Sequence, residues 1–206
     1  MPQNDPDQAP VLRLGLLGGT FDPPHKGHLA AARAVRAALN LDRVDLLPAN
    51  DPWQKSESGA TVTPAAVRLE MVRALVNRAD GIGVDDREIV RGGRTFTVET
   101  LRAIRQESPG TEVYLIVGAD TAARMGSWRE PEEVFSLSTL VVVNRGPGTA
   151  VEPRGAARVR TVAMEPVDVS STAVRAAVAA GHDVTDMVTA PVAAVIAAHG
   201  LYGQAK

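Results

Sequence analysis

The sequence of 206 residues contains no cysteine. That excludes a disulfide framework, a thiolate zinc site and a cysteine nucleophile, and it fits a cytoplasmic protein. Aromatic side chains are scarce, at 3% of the chain, with two tryptophans, two tyrosines and three phenylalanines. An excess of either charge is also missing: 22 Lys and Arg against 24 Asp and Glu leave a formal charge of −2. Bulk binding to nucleic acid or to an acidic membrane surface is therefore not expected. No apolar run reaches the roughly 18 residues of a membrane span. The opening MPQNDPDQAP lacks the basic-then-apolar order of a secretory signal, and it predicts a loose tail over residues 1–10 ahead of one domain over 11–206. What is present, 45% hydrophobic and 22% charged residues, is the composition of a globular chain able to bury a full core.

Val11 to Leu17 is an apolar run ending in Gly18-Gly19, the pattern of a buried strand entering a turn. From Gly27 to Leu39 an alanine-rich stretch has helical spacing. Val44 to Leu47 predicts a second strand stopped by Pro48, and a loop rich in Asp, Pro, Ser and Gly covers Ala49 to Thr63. Pro64 sits in the first turn of a helix holding Val67, Met71, Leu75 and Val76, where its missing N–H costs little. Val84 to Val90 is expected as a strand and Thr97 to Arg105 as a helix. Val113 to Val117 and Thr139 to Val143 are further buried strands, Arg158 to Ala163 is a weaker alternating one, and helices over Thr172 to Ala180 and Pro191 to His199 close the chain. Asn144 to Gly155, rich in glycine and proline, is expected to be a mobile loop with Arg145 at its start. Strands alternate with helices and nothing repeats. The fold expected is α/β: a single-domain, doubly wound, mostly parallel sheet of Rossmann-like type. Ligands on such sheets sit at the carboxyl ends of the strands, near the point where the strand order reverses.

Gly18-Gly19-Thr20-Phe21-Asp22-Pro23-Pro24-His25-Lys26-Gly27-His28 joins the first strand to the first helix. Two glycines let the backbone turn tightly and approach a ligand. His25 and His28 stand at i and i+3 on the helix entry, with Lys26 between them, so both imidazoles face one side. Cationic groups at the positive end of a helix dipole are an electrostatic conflict that a bound anion relieves. No Gly-Lys-Ser/Thr follows, so this is not a Walker loop, and it is not the GxGxxG dinucleotide fingerprint. Phosphate held by backbone amides and histidine is what the string supports. A second string, Asp168-Val169-Ser170-Ser171-Thr172-Ala173-Val174-Arg175, precedes the penultimate helix. Ser170 or Ser171 can cap that helix, and Arg175, one turn in, can reach back over the same anion. A plain capping box would put Glu or Gln at the third helical position, and none is there.

GGTFDPPHKGH resembles the GGTFDPxHxGH signature of bacterial nicotinate-nucleotide adenylyltransferases, within the HxGH nucleotidyltransferase superfamily. Val169 to Arg175 resembles the ISSTxxR signature of the same superfamily, with Val169 for isoleucine. Gly118-Ala119-Asp120 followed by Trp128 is similar to the family's GADxxxxxxxW segment. Arg91 to Leu101 is similar to its RxGxxYTxxTL, with Phe96 in place of tyrosine, and Pro48 to Lys55 to its acceptor loop, with Trp53-Gln54-Lys55 where many members have Pro-His-Lys. His199-Gly200-Leu201-Tyr202 matches the usual ending, and His199 itself reads as part of an ordinary helix stop.

The resemblance implies transfer of AMP from ATP to nicotinate mononucleotide, giving nicotinate adenine dinucleotide and pyrophosphate. It implies catalytic roles for His25, His28 and Arg175, and an ATP site made of Gly18, Gly19, Thr20, Phe21, His25, His28, Gly118, Asp120, Ser170, Ser171, Thr172 and Arg175. For the acceptor it implies Trp128 stacked on the pyridine, Thr97 and nearby amides on its carboxylate, and Lys55 on phosphate. Mg2+ is expected to travel with ATP on phosphate oxygens and water, with no protein metal ligand assigned. The partners expected are these two small molecules, with no nucleic acid and no membrane, and the sequence leaves room for a homo-oligomer. Pantetheine-phosphate adenylyltransferase shares both strings and is the alternative enzyme. A non-catalytic nucleotide-binding module is the alternative of another class.

Overall fold

The computed structural model describes residues 11–52, 61–77, 79–145 and 153–203, with the backbone alone at residue 145. Trp53, Gln54, Lys55, the Arg145 side chain and most of the loop expected over 144–155 lie outside the described residues.

Six strands form one sheet: β1 (Arg13–Gly19), β2 (Arg43–Pro48), β3 (Ile82–Val84), β4 (Glu112–Gly118), β5 (Thr139–Arg145) and β6 (Val159–Met164). Their order is β3-β2-β1-β4-β5-β6, and every neighbouring pair is parallel. The helices are α1 (Lys26–Ala38), α2 (Ala65–Val76), α3 (Arg87–Arg91), α4 (Thr97–Glu107), α5 (Ala119–Ala122), α6 (Pro131–Leu137), α7 (Ser171–Ala179) and α8 (Ala190–Ala198), with a 3-10 turn at Met125–Ser127. This is the Rossmann-like arrangement that the alternation of elements anticipated, and parallel throughout.

Central strands read as unbroken apolar runs because both their faces are covered. Leu17, Val44, Leu46, Ile116, Val141 and Val143 point to one core, with side chains from α1, α2, α7 and α8. Leu16, Leu115, Val117, Leu140 and Val142 point to the other, with α4, α5 and α6. The period-2 alternation of the strand feeds both layers. Gly15 is required where β1 meets β2, since a Cβ there would stand 2.7 Å from Val44 Cγ2.

The stretch Val84 to Val90 is not the strand its apolar residues suggested. β3 ends at Val84, and α3 begins at Arg87 after the two aspartates Asp85 and Asp86. Asp85 accepts from the Arg87 backbone N–H (3.0 Å) and from Arg87 Nε (2.6 Å), which turns the chain out of extended geometry. The helix stops at Gly92, with φ 71°. Val90 is 78% exposed and Glu88 is 3% exposed, so the short helix turns its acid inward and its valine out, against the hydrophobic pattern. Among the described residues no helix is long and apolar enough to cross a membrane.

Candidate active site

Chain order reverses between β1 and β4, whose carboxyl ends, Gly19 and Gly118, lie side by side. A cavity of about 820 Å³ opens there, a size suited to a nucleotide-sized ligand. Its wall includes Gly18, Gly19, Thr20 and His28 from the turn after β1 and the start of α1, Gly118 and Asp120 from where β4 meets α5, and Thr97 and Trp128. These eight expected site residues thus meet in one crevice. Trp128 is half-buried, packed against the second core as well as facing the cavity.

The turn after β1 is built around Phe21, which adopts a left-handed φ of 53° and precedes a cis Asp22–Pro23 bond. The Phe21 ring lies under Gly19, where a Cβ would come within 3.1 Å of it, and its edge meets the His28 ring at a centroid distance of 4.9 Å. Phe21 is therefore a buried wedge supporting the turn from behind. His25 caps α1 from an extended conformation, and its backbone N–H donates to His28 Nδ1 at 3.1 Å. The third helical residue reaches back to the cap amide as Glu or Gln does in a capping box. Because Nδ1 accepts, the neutral His28 ring carries its hydrogen on Nε2, as a donor. The two imidazoles stack at 3.7 Å between centroids, with His25 2% exposed beneath His28 on the cavity wall. The first turn of α1 holds no acid, so its positive end is left to favour an anion.

The second motif docks on the first. Ser170 caps α7, accepting from the Ala173 N–H at 3.1 Å. Ser171 Oγ donates to the Pro23 carbonyl (2.8 Å) and Arg175 Nη1 to the Asp22 carbonyl (2.7 Å). Arg175 Nη2 also reaches Thr172 Oγ1 at 3.3 Å. A Cβ on Gly27 would stand 3.2 Å from Val169 Cγ1, so the close approach of the two strings depends on that glycine. Phe21, His25, Ser170, Ser171, Thr172 and Arg175 are brought beside the turn and off the cavity wall. In this arrangement Ser171 and Arg175 brace the Asp22–Pro23 backbone.

Four residues that sequence reasoning passed over hold this site. Arg68, 1% exposed, donates to the carbonyls of Thr63, Thr20 and Asn50, each at 2.8 Å. Burial lowers its pKa and the charge of Asp22 opposes that. Its signal was available: a guanidinium on the same face of α2 as Leu75 and Met71. Arg129 stacks on the Phe96 ring at 4.7 Å and donates to Glu99 Oε1 at 3.1 Å, joining the Trp128 turn to the start of α4. Glu88 lines the cavity, and burial pushes its carboxyl up to about 7 against the opposing pull of the Thr100 hydroxyl and the Arg91 charge. Asn50 ties the loop after β2 to the 93–95 segment, through its N–H to Thr95 Oγ1 (3.0 Å) and its Nδ2 to the Gly93 carbonyl (2.9 Å). His199 closes α8 and pairs with Glu70 at 2.9 Å, away from the crevice.

Residues 16–177 match the cytidylyltransferase-like family model. A protein of Albidiferax ferrireducens, described as a probable nicotinate-nucleotide adenylyltransferase, is 37% identical over 93% of this chain and 98% of its own. One of Corynebacterium kroppenstedtii with the same description is 40% identical, over 92% and 90% of the two chains. The chain belongs to the nicotinate-nucleotide adenylyltransferase family. The fold agrees: the nicotinic acid mononucleotide adenylyltransferase of Plasmodium falciparum, solved with NaAD, superposes with a TM-score of 0.78 at 17% identity, over 93% of this chain and 97% of that one.

Proposed function

We propose that this chain is a nicotinate-nucleotide adenylyltransferase, joining the AMP part of ATP to nicotinate mononucleotide. A 5′-phosphate oxygen of the acceptor bonds to the α-phosphorus of ATP while the bond from that phosphorus to the β-phosphate bridging oxygen breaks. Nicotinate adenine dinucleotide and pyrophosphate result. The attacking oxygen is already anionic, so no protein base is called for, and rate comes from positioning and charge stabilisation. The observation that carries this reading is that one cavity is lined both by His28 with the Gly18–Thr20 turn and by Thr97 with Trp128.

His28 donates from Nε2 to the phosphates, beside the amides of Gly19 and Thr20. His25 holds the His28 ring through the backbone bond and the stack already described. Arg175, Ser170 and Ser171 steady the leaving pyrophosphate, and the bonds of Arg175 and Ser171 to the Asp22–Pro23 turn keep that turn in place for it. Trp128 offers its ring to the pyridine, and Thr97 opens α4, whose amides suit a carboxylate. Lys55, in the acceptor loop, is assigned the acceptor phosphate.

The donors around the phosphate turn are amides and imidazoles, and among the described residues no group of three or more acids and histidines is placed to hold a metal. Such a lining fits a magnesium ion that arrives on ATP with its own water. Bound there, the ion would offset charge on the departing pyrophosphate. We assign the reaction to the cytoplasm, which suits a sequence without cysteine. ATP labelled at the α-phosphorus tests the bond assignment: the label should appear in a dinucleotide with unlabelled pyrophosphate. Label left in AMP, as attack at the β-phosphorus would give, or in ADP, as attack at the γ-phosphorus would give, would refute it.

A further inference from the structure

Glu88 is the buried acid of the cavity wall that the reaction does not use. It stands on α3, and its Oε1 accepts the Thr100 hydroxyl of α4 at 2.7 Å. That bond closes the corner between the two helices, where Phe96 and Thr97 also line the cavity. Arg91 Nη1 donates to the same Thr100 oxygen at 3.4 Å. A threonine hydroxyl has one hydrogen to give. Thr100 gives that hydrogen to Glu88 Oε1. When Glu88 is neutral its own proton therefore sits on Oε2.

A carboxylic acid in this state donates from Oε2, and an ionised one only accepts. A carboxylate on an incoming ring can take the donated hydrogen, but it is repelled by the ionised form. A carboxamide has both an acceptor oxygen and N–H donors, so it suits either form. We propose that Glu88 is a specificity-determining group for the acceptor, favouring a ring carboxylate over a carboxamide while it holds its proton and relaxing that preference once it ionises. The inference rests on the pyridine mononucleotide reading above and deepens it.

Charged groups around Glu88 pull in both directions. Arg91 on its own helix and Arg87 at the helix start favour ionisation, while Asp85 in the preceding turn opposes it. Asp120, Arg124, Arg129 and His28 line the same cavity from α1, from α5 and from the turns beyond it. Burial outweighs them and brings the carboxyl to about 7, so the change falls within ordinary assay pH.

The test is kcat/KM for nicotinate mononucleotide divided by kcat/KM for nicotinamide mononucleotide, followed with saturating ATP and magnesium from mildly acidic to mildly alkaline pH. Both substrates carry the same titrating 5′-phosphate, so the ratio cancels it. In the unmodified chain the ratio should fall on the order of tenfold as Glu88 ionises. In Glu88→Gln, which keeps a donor and an acceptor at every pH, it should stay level. A level ratio in the unmodified chain overturns the proposal whether or not the variant folds, and so does a variant ratio that falls like the parent's. Turnover with neither mononucleotide at any pH overturns the acceptor reading itself, and the proposal with it.

Discussion

The Tyr202 hydroxyl donates to Asp22 Oδ1 at 2.5 Å, tying the segment after the last helix to the turn that follows the first strand. Asp22 also accepts the Thr63 N–H at 3.1 Å, so three distant segments converge on one carboxylate. Burial and the Asp22 charge push the Tyr202 hydroxyl above its ordinary value, which keeps it a donor through the neutral range. Tyr202→Phe removes one hydrogen bond to a charged acceptor and leaves the ring in place. The expected loss is about 1.5–3 kcal/mol in urea unfolding. An unchanged midpoint and slope would show that this tie does not hold the turn.

His28→Ala deletes the donor on the cavity wall and also the acceptor of the His25 N–H. Loss of one donor aimed at a transition state costs roughly 2–4 kcal/mol. Turnover should drop at least about a hundredfold, with the far-UV spectrum unchanged. A folded variant working at near-parental rate would remove His28 from the chemistry.

Glu88 also sets a pH dependence of stability. Its pKa rises from an ordinary 4.5 to about 7 in the fold, so the native state binds the extra proton. Stability is then lost as pH climbs between those two values, by on the order of 3 kcal/mol in all. Urea unfolding at pH 5 and pH 8 should show this loss in the parent and a smaller one in Glu88→Gln. Equal losses in the two would mean that Glu88 is not the group responsible.

Much of this fold was legible in the residues. β1, β2, β4 and β5 announce themselves as apolar runs because a doubly covered parallel strand has no polar face to interrupt it. A serine cap at Ser170 or Ser171 was legible from its place before an apolar helix, and the fold uses Ser170. α3 was not, because Ile89 and Val90 read as strand residues while the aspartates ahead of them and Gly92 after them decide the geometry. α6 was missed too, although Pro131 with Glu132 and Glu133 is a helix start. In the site, the two strings gave the residues but not their division of labour. Ser171 and Arg175 were expected to face a ligand, and what the residues did not show is that both also clasp the Asp22–Pro23 carbonyls of the other string. Arg68 and Glu88 escaped notice because their partners, Thr20, Asn50 and Thr100, are adjacent only after folding.

Trp128→Ala removes a ring that faces the cavity and packs on the second core. Stacking of this kind contributes about 0.5–1.5 kcal/mol beyond area burial. KM for the acceptor should rise roughly tenfold or more, with KM for ATP little changed. A rise in both together would point to a collapsed core and not to a lost platform.

The most direct test of the function is pyrophosphate release from ATP and magnesium with nicotinate mononucleotide, nicotinamide mononucleotide or phosphopantetheine offered separately. The result expected is turnover with strong preference for the nicotinate form near neutral pH. Turnover with phosphopantetheine alone would keep the ATP half of the site and contradict the acceptor half, and silence with all three would contradict the enzyme.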